Sequence, residues 1–267
     1  MSCTFCKSSV IEKKIKTYKG INYNICGKCG CHYQDPVIKT DYISDSSYWT
    51  CGTDPEGNQR HLIDEREIRI KNLFSDTVNF VNKFENIDIL DYGCGYGFFL
   101  SALTNKINKY GVEMSQYTNK YIKKNFPDIN IIQGGEEKLK DDKQFDIVFC
   151  HHVIEHVDDP LKLFLLLKRK VKKKGILILA TPIVNSFLSN HFGGNFRHYI
   201  PGHITLFSLD CLKNLLFENS FKILKIEKPY FNTEYFTFTN VMRLFNPKKL
   251  SPPYRGSIMT IYAQLKD

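Results

Sequence analysis

The run IDILDYGCGYGFFLSALTNK, residues 87–106, constrains the fold more than any other stretch of the chain. An apolar strand over Ile87–Leu90 enters Asp91-Tyr92-Gly93-Cys94-Gly95-Tyr96-Gly97 and leaves as an amphipathic helix. Glycines let the backbone turn tightly and bring its N–H groups against a ligand, and the helix amino terminus adds positive potential. About twenty residues on, a second strand, YGVEM, ends in Glu113, whose carboxylate is placed to accept hydrogen bonds from ribose hydroxyls. An adenosine-type cofactor follows. The glycine spacing is G-x-G-x-G rather than the G-x-G-x-x-G of dinucleotide sites, which argues against a dinucleotide.

The remaining segments alternate strand and helix: INIIQGG, FDIVFC, the helix LKLFLLLKRKV, GILILATP, the helix CLKNLLFENS, FKILKIEK and IMTIYAQL. Elements of this length and order specify a parallel sheet covered on both faces. From about Asp88 onward the chain resembles the class I S-adenosylmethionine-dependent methyltransferases, whose glycine motif begins with an acid as Asp91 does here. The resemblance implies an α/β fold with a seven-stranded Rossmann-like sheet and an antiparallel last strand. It implies S-adenosylmethionine as cofactor, with Asp91, Gly93, Gly95 and Gly97 around the methionine portion and Glu113 on the ribose. Relatives carry an acid directly after the third-strand glycine to bind the adenine amino group. That position is Gly135 here, so Gly135 itself, Glu136 or Glu137 takes the contact.

CHHVIEHVDDP, Cys150 to Pro160, contains H-x-x-E-H, which also occurs in inverzincin proteases. The buried strand FDIVFC directly before it and Pro160 soon after exclude a zinc-protease helix. At the carboxyl end of the fourth strand it lies where open α/β sheets place their chemistry, and i, i+3, i+4 spacing puts His152, Glu155 and His156 on one helical face. It resembles the E-x-x-E-H of ubiquinone-pathway O-methyltransferases, in which two acids and a histidine can bind magnesium. His152 replaces the first acid, which leaves a softer divalent ion or no metal. The alternative is that His152 is a general base for methyl transfer to a hydroxyl, or that it only caps a helix. NFRHYIPGHITLFS, Asn195 to Ser208, is similar to a proline-histidine-phenylalanine element of sugar methyltransferases. The similarity makes His203 a second candidate base and offers Arg197 to an acceptor phosphate; the plain alternative is an insertion loop folding back on the core.

Nine cysteines in a chain with neither a signal peptide nor an 18-residue apolar run argue for a cytoplasmic location and for metal binding over disulfides. Cys3-x-x-Cys6 and Cys26-x-x-Cys29 have the spacing of a four-cysteine structural zinc ribbon, and IKTYKGINYN between them reads as a hairpin turning at Lys19-Gly20. Cys31 and His32 are possible substitute ligands; Cys51, Cys94, Cys150 and Cys211 read as buried or incidental thiols.

This divides the chain into a zinc ribbon over residues 1–45, a linker and helical segment over 46–86 with a long helix from Glu56 to Phe84, and a methyltransferase domain over 87–267. Insertions fall near 190–207 and 229–256, the latter an aromatic acceptor lid or homodimer surface. The net charge of +9 suits a phosphorylated acceptor. The expected activity is O-methylation of a small or carrier-linked acceptor, a nucleotide-sugar or surface-glycan precursor. Ribosomal RNA methylation is the alternative, disfavoured because the ribbon lacks an aromatic and arginine-rich stacking surface. No membrane insertion is expected.

Overall fold

The computed structural model describes the chain apart from residues 1, 39–48, 51, 53–58, 60, 140–141, 229–236 and 254–256, and apart from the side chain of Glu136. The strands are β1 (Ile11–Lys16), β2 (Asn22–Cys26), β3 (His32–Gln34), β4 (Ile87–Tyr92), β5 (Ile107–Glu113), β6 (Ile129–Gln133), β7 (Phe145–His151), β8 (Val171–Val184), β9 (Thr205–Ser208), β10 (Phe221–Glu227) and β11 (Ile258–Leu265). The α-helices are α1 (Arg66–Arg69), α2 (Ser75–Val81), α3 (Phe98–Ser101), α4 (Gln116–Asn125), α5 (Pro160–Lys170), α6 (Phe187–Phe192), α7 (Leu209–Glu218) and α8 (Phe238–Arg243). The chain forms two compact units. One comprises Asp41–His151 and Leu166–Ile178 with Asp267; the other comprises Met1–Thr40, His152–Leu165 and Leu179–Lys266.

The first, the glycine-turn unit, is built on parallel strands in the order β7-β4-β5-β6. Because β4 is flanked by β5 on one side and β7 on the other, strand order reverses there, and the carboxyl ends of β4 and β7 border a topological switch point. The strands are buried and apolar as a covered parallel sheet requires: Ile89, Leu90, Ile147, Val148 and Phe149 are all enclosed. Phe99 of α3 packs on Phe149 with ring centroids 4.1 Å apart, which seats the helix leaving the glycine turn on the sheet.

The helix expected from Glu56 to Phe84 is shorter. Residues 53–58 and 60 lie outside the described part, and the helical run extends from Arg66 to Val81 with a π-helical turn, Ile70–Phe74, in its middle. The wider turn accompanies the placement of Phe74, whose ring lies 5.7 Å from Phe99 and 5.0 Å from His151.

In the second, the cysteine unit, β1 and β2 form the expected hairpin, with Ile15 opposite Tyr23 and Lys16 opposite Asn22. Gly20 takes φ +73 in its turn. β2 pairs with β3, β3 pairs antiparallel with β9 through His32↔Leu206 and Tyr33↔Thr205, and β9 runs parallel to the end of β8. β10 and β11 pair antiparallel, as expected of the last strand.

The expectation of seven strands is therefore corrected: the described residues contain eleven. The extra strands arise because the edge of β3 is satisfied by backbone pairing with β9, a segment that reads in the sequence as part of an insertion. Tyr23, Val184, Phe196, Tyr199 and Leu206 form the shared core behind these strands.

Candidate functional site

The glycine turn is assembled by backbone hydrogen bonds to the neighbouring strand. Gly93 N and Cys94 N both donate to Val112 O, at 2.8 and 3.1 Å, and Gly97 N closes the turn on Cys94 O at 2.8 Å. Gly93, Gly95 and Gly97 have φ of +79, +55 and +72, a left-handed path that side-chain-bearing residues resist. Glu113 ends β5 beside this turn. Its Oε2 accepts from Gly95 N at 2.8 Å and its Oε1 from Ser115 N at 2.8 Å. A carboxylate has about four lone-pair positions, so two bonds leave acceptor capacity for hydroxyls.

Asp91 and Glu113 are both buried, and burial raises both carboxyls; at Asp91 the charge of Glu113 raises it further. Two enclosed carboxyls whose ionisation burial opposes suit a ligand whose positive centre would favour their charged form and whose hydroxyls they would accept. The carboxylate acceptors and the left-handed glycines of the turn thus fit S-adenosylmethionine, with its sulfonium and ribose.

Two aromatic residues that the sequence did not single out border the turn. A Cβ on Gly95 would stand 3.4 Å from the Trp49 ring, and Tyr96 Oη donates to Trp49 O at 2.8 Å. Trp49 is the chain's single tryptophan, which is the signal that could have drawn attention to it. Gly135 is buried and its N–H donates to Glu137 Oε1 at 3.0 Å, so Glu137, not only the backbone, shapes the end of β6. The side chain of Glu136 lies outside the described residues.

In the cysteine unit, the segment after β7 does not form the helical face expected for His152, Glu155 and His156. It is a turn, and the helix begins at Pro160. His152 adopts φ +54, which is incompatible with a continuing right-handed helix. Asp159 caps α5 through Lys162 N at 3.0 Å, with proline in the favoured first position.

The turn nevertheless joins the predicted residues. His152 Nδ1 and Glu155 Oε1 are 2.8 Å apart, and Thr181 Oγ1 donates to Glu155 Oε2 at 3.0 Å. Glu155 is fully buried, and its carbonyl accepts from Ile204 N at 2.8 Å and Thr205 N at 3.2 Å. Burial alone would raise the Glu155 carboxyl; the hydrogen bond and charge of His152 override it and hold the group well below the usual carboxylate range. An ionised Glu155 requires the proton of His152 on Nδ1, so Nε2 is the basic nitrogen of that ring.

His156 and His203 lie alongside, with ring centroids 4.8 Å apart. His156 Nδ1 donates to Gly202 O at 2.9 Å, and His203 Nδ1 to His198 O at 2.8 Å. Burial lowers both imidazoles, His203 to about 3, so His203 stays neutral and weakly basic near neutral pH. Glu155, His156 and His203 each bring one ligand atom within 4.8 Å of the others, a set that could hold a divalent ion. His198 hydrogen-bonds Ser257 Oγ at 2.8 Å. Arg197, expected near an acceptor phosphate, is buried with its Nη1 on Ser251 O at 3.3 Å and its N–H on Ser251 Oγ at 3.0 Å. Sequence reasoning missed Thr181, which carries no local motif; His198 falls within the Asn195–Ser208 stretch singled out above.

The four cysteines expected to bind zinc converge. Their Sγ atoms lie within 4.8 Å of one another, with Cys3–Cys29 at 3.7 Å and Cys6–Cys26 at 3.5 Å. A tetrahedral site with metal–sulfur bonds of about 2.3 Å has sulfur–sulfur edges of about 3.8 Å, so the cage fits zinc. The two knuckles share a design: the residue after each second cysteine, Lys7 and Gly30, is left-handed at φ +58 and +70. Of the insertion at 229–256, the described part carries α8, with Phe238 and Phe245 exposed. Among the described residues no helix is long and apolar enough to cross a membrane.

The family described as "Methyltransferase domain" matches residues 63–226. A ubiquinone biosynthesis O-methyltransferase of Rickettsia bellii is 32% identical over 119 residues, 43% of this chain and 50% of the relative. Its counterpart in Rickettsia conorii is 27% identical over 201 residues, 65% of this chain and 70% of the relative. The chain thus spans about half the length of the first of these relatives. Among solved structures, a possible histamine N-methyltransferase of Thermotoga maritima superposes with a TM-score of 0.53 at 22% identity, covering 77% of this chain and 97% of the other. A S-adenosylmethionine-dependent methyltransferase of Archaeoglobus fulgidus does so with a TM-score of 0.52 at 22% identity, covering 76% and 98%. These structural likenesses establish the shared α/β fold.

Proposed function

Because the chain belongs to the methyltransferase domain family, we propose that it transfers a methyl group from S-adenosylmethionine to a hydroxyl oxygen of a small or carrier-linked acceptor. The observation that carries this reading is the Glu155–His152 pair, a buried ionised carboxylate 2.8 Å from a half-buried imidazole in the residues that directly follow β7. When bound, the cofactor supplies an electrophilic methyl on a sulfonium. The residues of the chain do the rest.

Gly93, Gly95 and Gly97 with Asp91 would cradle the cofactor's charged portion, Glu113 would accept from its ribose, and Gly135 with Glu136 and Glu137 would border the adenine. His152 Nε2 would take the acceptor's hydroxyl proton, and Glu155 would fix its tautomer and stabilise the imidazolium so formed. Glu155 acts through His152 and is a positioning residue. His203, with its imidazole lowered to about 3, is the weaker candidate base and packs against His156 beside Glu155. Cys3, Cys6, Cys26 and Cys29 would hold a structural zinc that folds the ribbon.

Oxygen as the acceptor atom follows the relatives, which are named as O-methyltransferases of ubiquinone biosynthesis. Those names lend no support to a glycan or nucleotide-sugar acceptor, and the engagement of Arg197 by Ser251 weakens the argument for an acceptor phosphate. The test is incubation with methyl-labelled S-adenosylmethionine and three acceptor pools: hydroxylated quinone precursors, nucleotide sugars and total RNA. Label transfer to a hydroxylated aromatic, lost in His152→Asn, is the expected result. Transfer only to RNA, or equal turnover by His152→Asn, would overturn it.

A further inference from the structure

Nine cysteines are more than one ribbon needs, and two of the surplus do not scatter. Cys31 and Cys211 bring their Sγ atoms to 3.2 Å from each other, and both lie within 4.8 Å of the Cys29 Sγ. These three sulfurs come from a knuckle, the residue two positions beyond it, and the first turn of α7, 180 residues away from Cys31. The local structure is arranged for the meeting. Gly30, at φ +70, reverses the chain between Cys29 and Cys31 so that both side chains project to one side. Cys26 N donates to Cys31 O at 2.9 Å, fixing the residue just before β3. Gly30 lies against the capped start of α7, a Cβ there being 3.6 Å from Ser208 Oγ, an ordinary contact distance, and Ser208 Oγ also accepts from Cys211 N at 3.2 Å.

We propose that Cys29, Cys31 and Cys211 form a second site for a thiophilic d¹⁰ ion (zinc, cadmium or monovalent copper), in which the Cys29 thiolate bridges to the ion held by Cys3, Cys6 and Cys26. Soft thiolate ligands select such ions. Three thiolates around an ion at about 2.3 Å stand about 4.0 Å apart, so sulfurs at 3.2 Å need only part slightly to admit it. Cys31 is fully buried and Cys211 nearly so. Thiolates enclosed in this way require a compensating positive charge, which the second ion supplies. The bridge ties α7 to the knuckle, making the ribbon and this helix one metal-linked structure.

The inference rests on the four-cysteine site holding an ion, and the experiment separates the two. The full chain, reduced and stripped of metal, is titrated with cadmium and read by thiolate-to-metal charge-transfer absorbance and native mass spectrometry. The expected stoichiometry is two ions per chain in the native sequence and one in the double variant Cys31→Ser, Cys211→Ser. No bound ion removes both sites. One ion in the native sequence removes the second site alone, whether or not the variant folds. Two ions retained by the double variant, or a native chain lighter by two hydrogens through a Cys31–Cys211 disulfide, also overturns the proposal.

Discussion

Replacing Glu155 by glutamine isolates the charge at the centre of the candidate site. The amide has the same shape: its oxygen can accept from His152 Nδ1 and its NH₂ can donate to Thr181 Oγ1, so both side-chain partners stay satisfied. The backbone bonds from Ile204 and Thr205 to the Glu155 carbonyl are untouched. What disappears is the stabilisation of the imidazolium formed as His152 takes the acceptor proton. Two unit charges about 4 Å apart at an effective dielectric of about 20 interact by about 4 kcal/mol, which is about a thousandfold in rate. General-base contributions set the lower bound at about a hundredfold. The expected result is therefore a loss of kcat between about 100- and 1000-fold with KM for S-adenosylmethionine within about twofold. Circular dichroism and thermal melting report whether the fold is kept. Because Glu155 acts through His152, Glu155→Gln should cost nothing further in a His152→Asn background. A folded Glu155→Gln enzyme with kcat near the native value would show that the Glu155 charge does not serve His152, as would losses that multiply in the double variant.

Acidification should destabilise the protein, because burial lowers His203 to about 3 and His198 well below its ordinary value. A lowered histidine leaves the unfolded chain binding more protons, so stability is full above about pH 6.5 and falls as the pH drops toward the folded value, by up to about 1.4 kcal/mol per pH unit for each. The lowered carboxyl of Glu155 acts in the same direction below about pH 4.3, where the unfolded group protonates. Melting temperature measured from about pH 7.5 to pH 5 tests this; a flat profile contradicts it, and His203→Asn should shallow the slope. Removing metal with a strong chelator should lower the melting temperature, and Cys26→Ser should lower it as well and abolish the response to chelator; a native chain indifferent to chelation contradicts the zinc assignment. Gly111→Ala places a Cβ 2.7 Å from Cys94 Sγ beneath the glycine turn. It should destabilise the fold by about 1–3 kcal/mol, read from denaturant unfolding, and an unchanged unfolding midpoint would show that the turn yields without strain.

The elements legible in the sequence are those specified by local pattern. The β4–turn–α3 segment could be read because strand, glycine spacing and helix are contiguous, and Glu113 because it ends the next strand. β9 could not: Thr205–Ser208 is four residues inside an apparent insertion, and its extended form comes from pairing with β3 on one side and β8 on the other. The spacing of His152, Glu155 and His156 suggested a helix, whereas the left-handed His152 and Pro160 make a turn that brings the first two together by another route. Thr181 reaches Glu155 from 26 positions away, and Cys211 reaches Cys31 from 180; such partners leave no local trace.

Whether the glycine turn and Glu113 hold the cofactor is read by calorimetry of its demethylated product, S-adenosylhomocysteine, binding to the full chain. One molecule should bind per chain, with affinity falling at least about tenfold in Glu113→Ala through loss of the acceptor for the ribose hydroxyls. Absence of binding to the native chain, or equal binding by Glu113→Ala, would contradict that assignment.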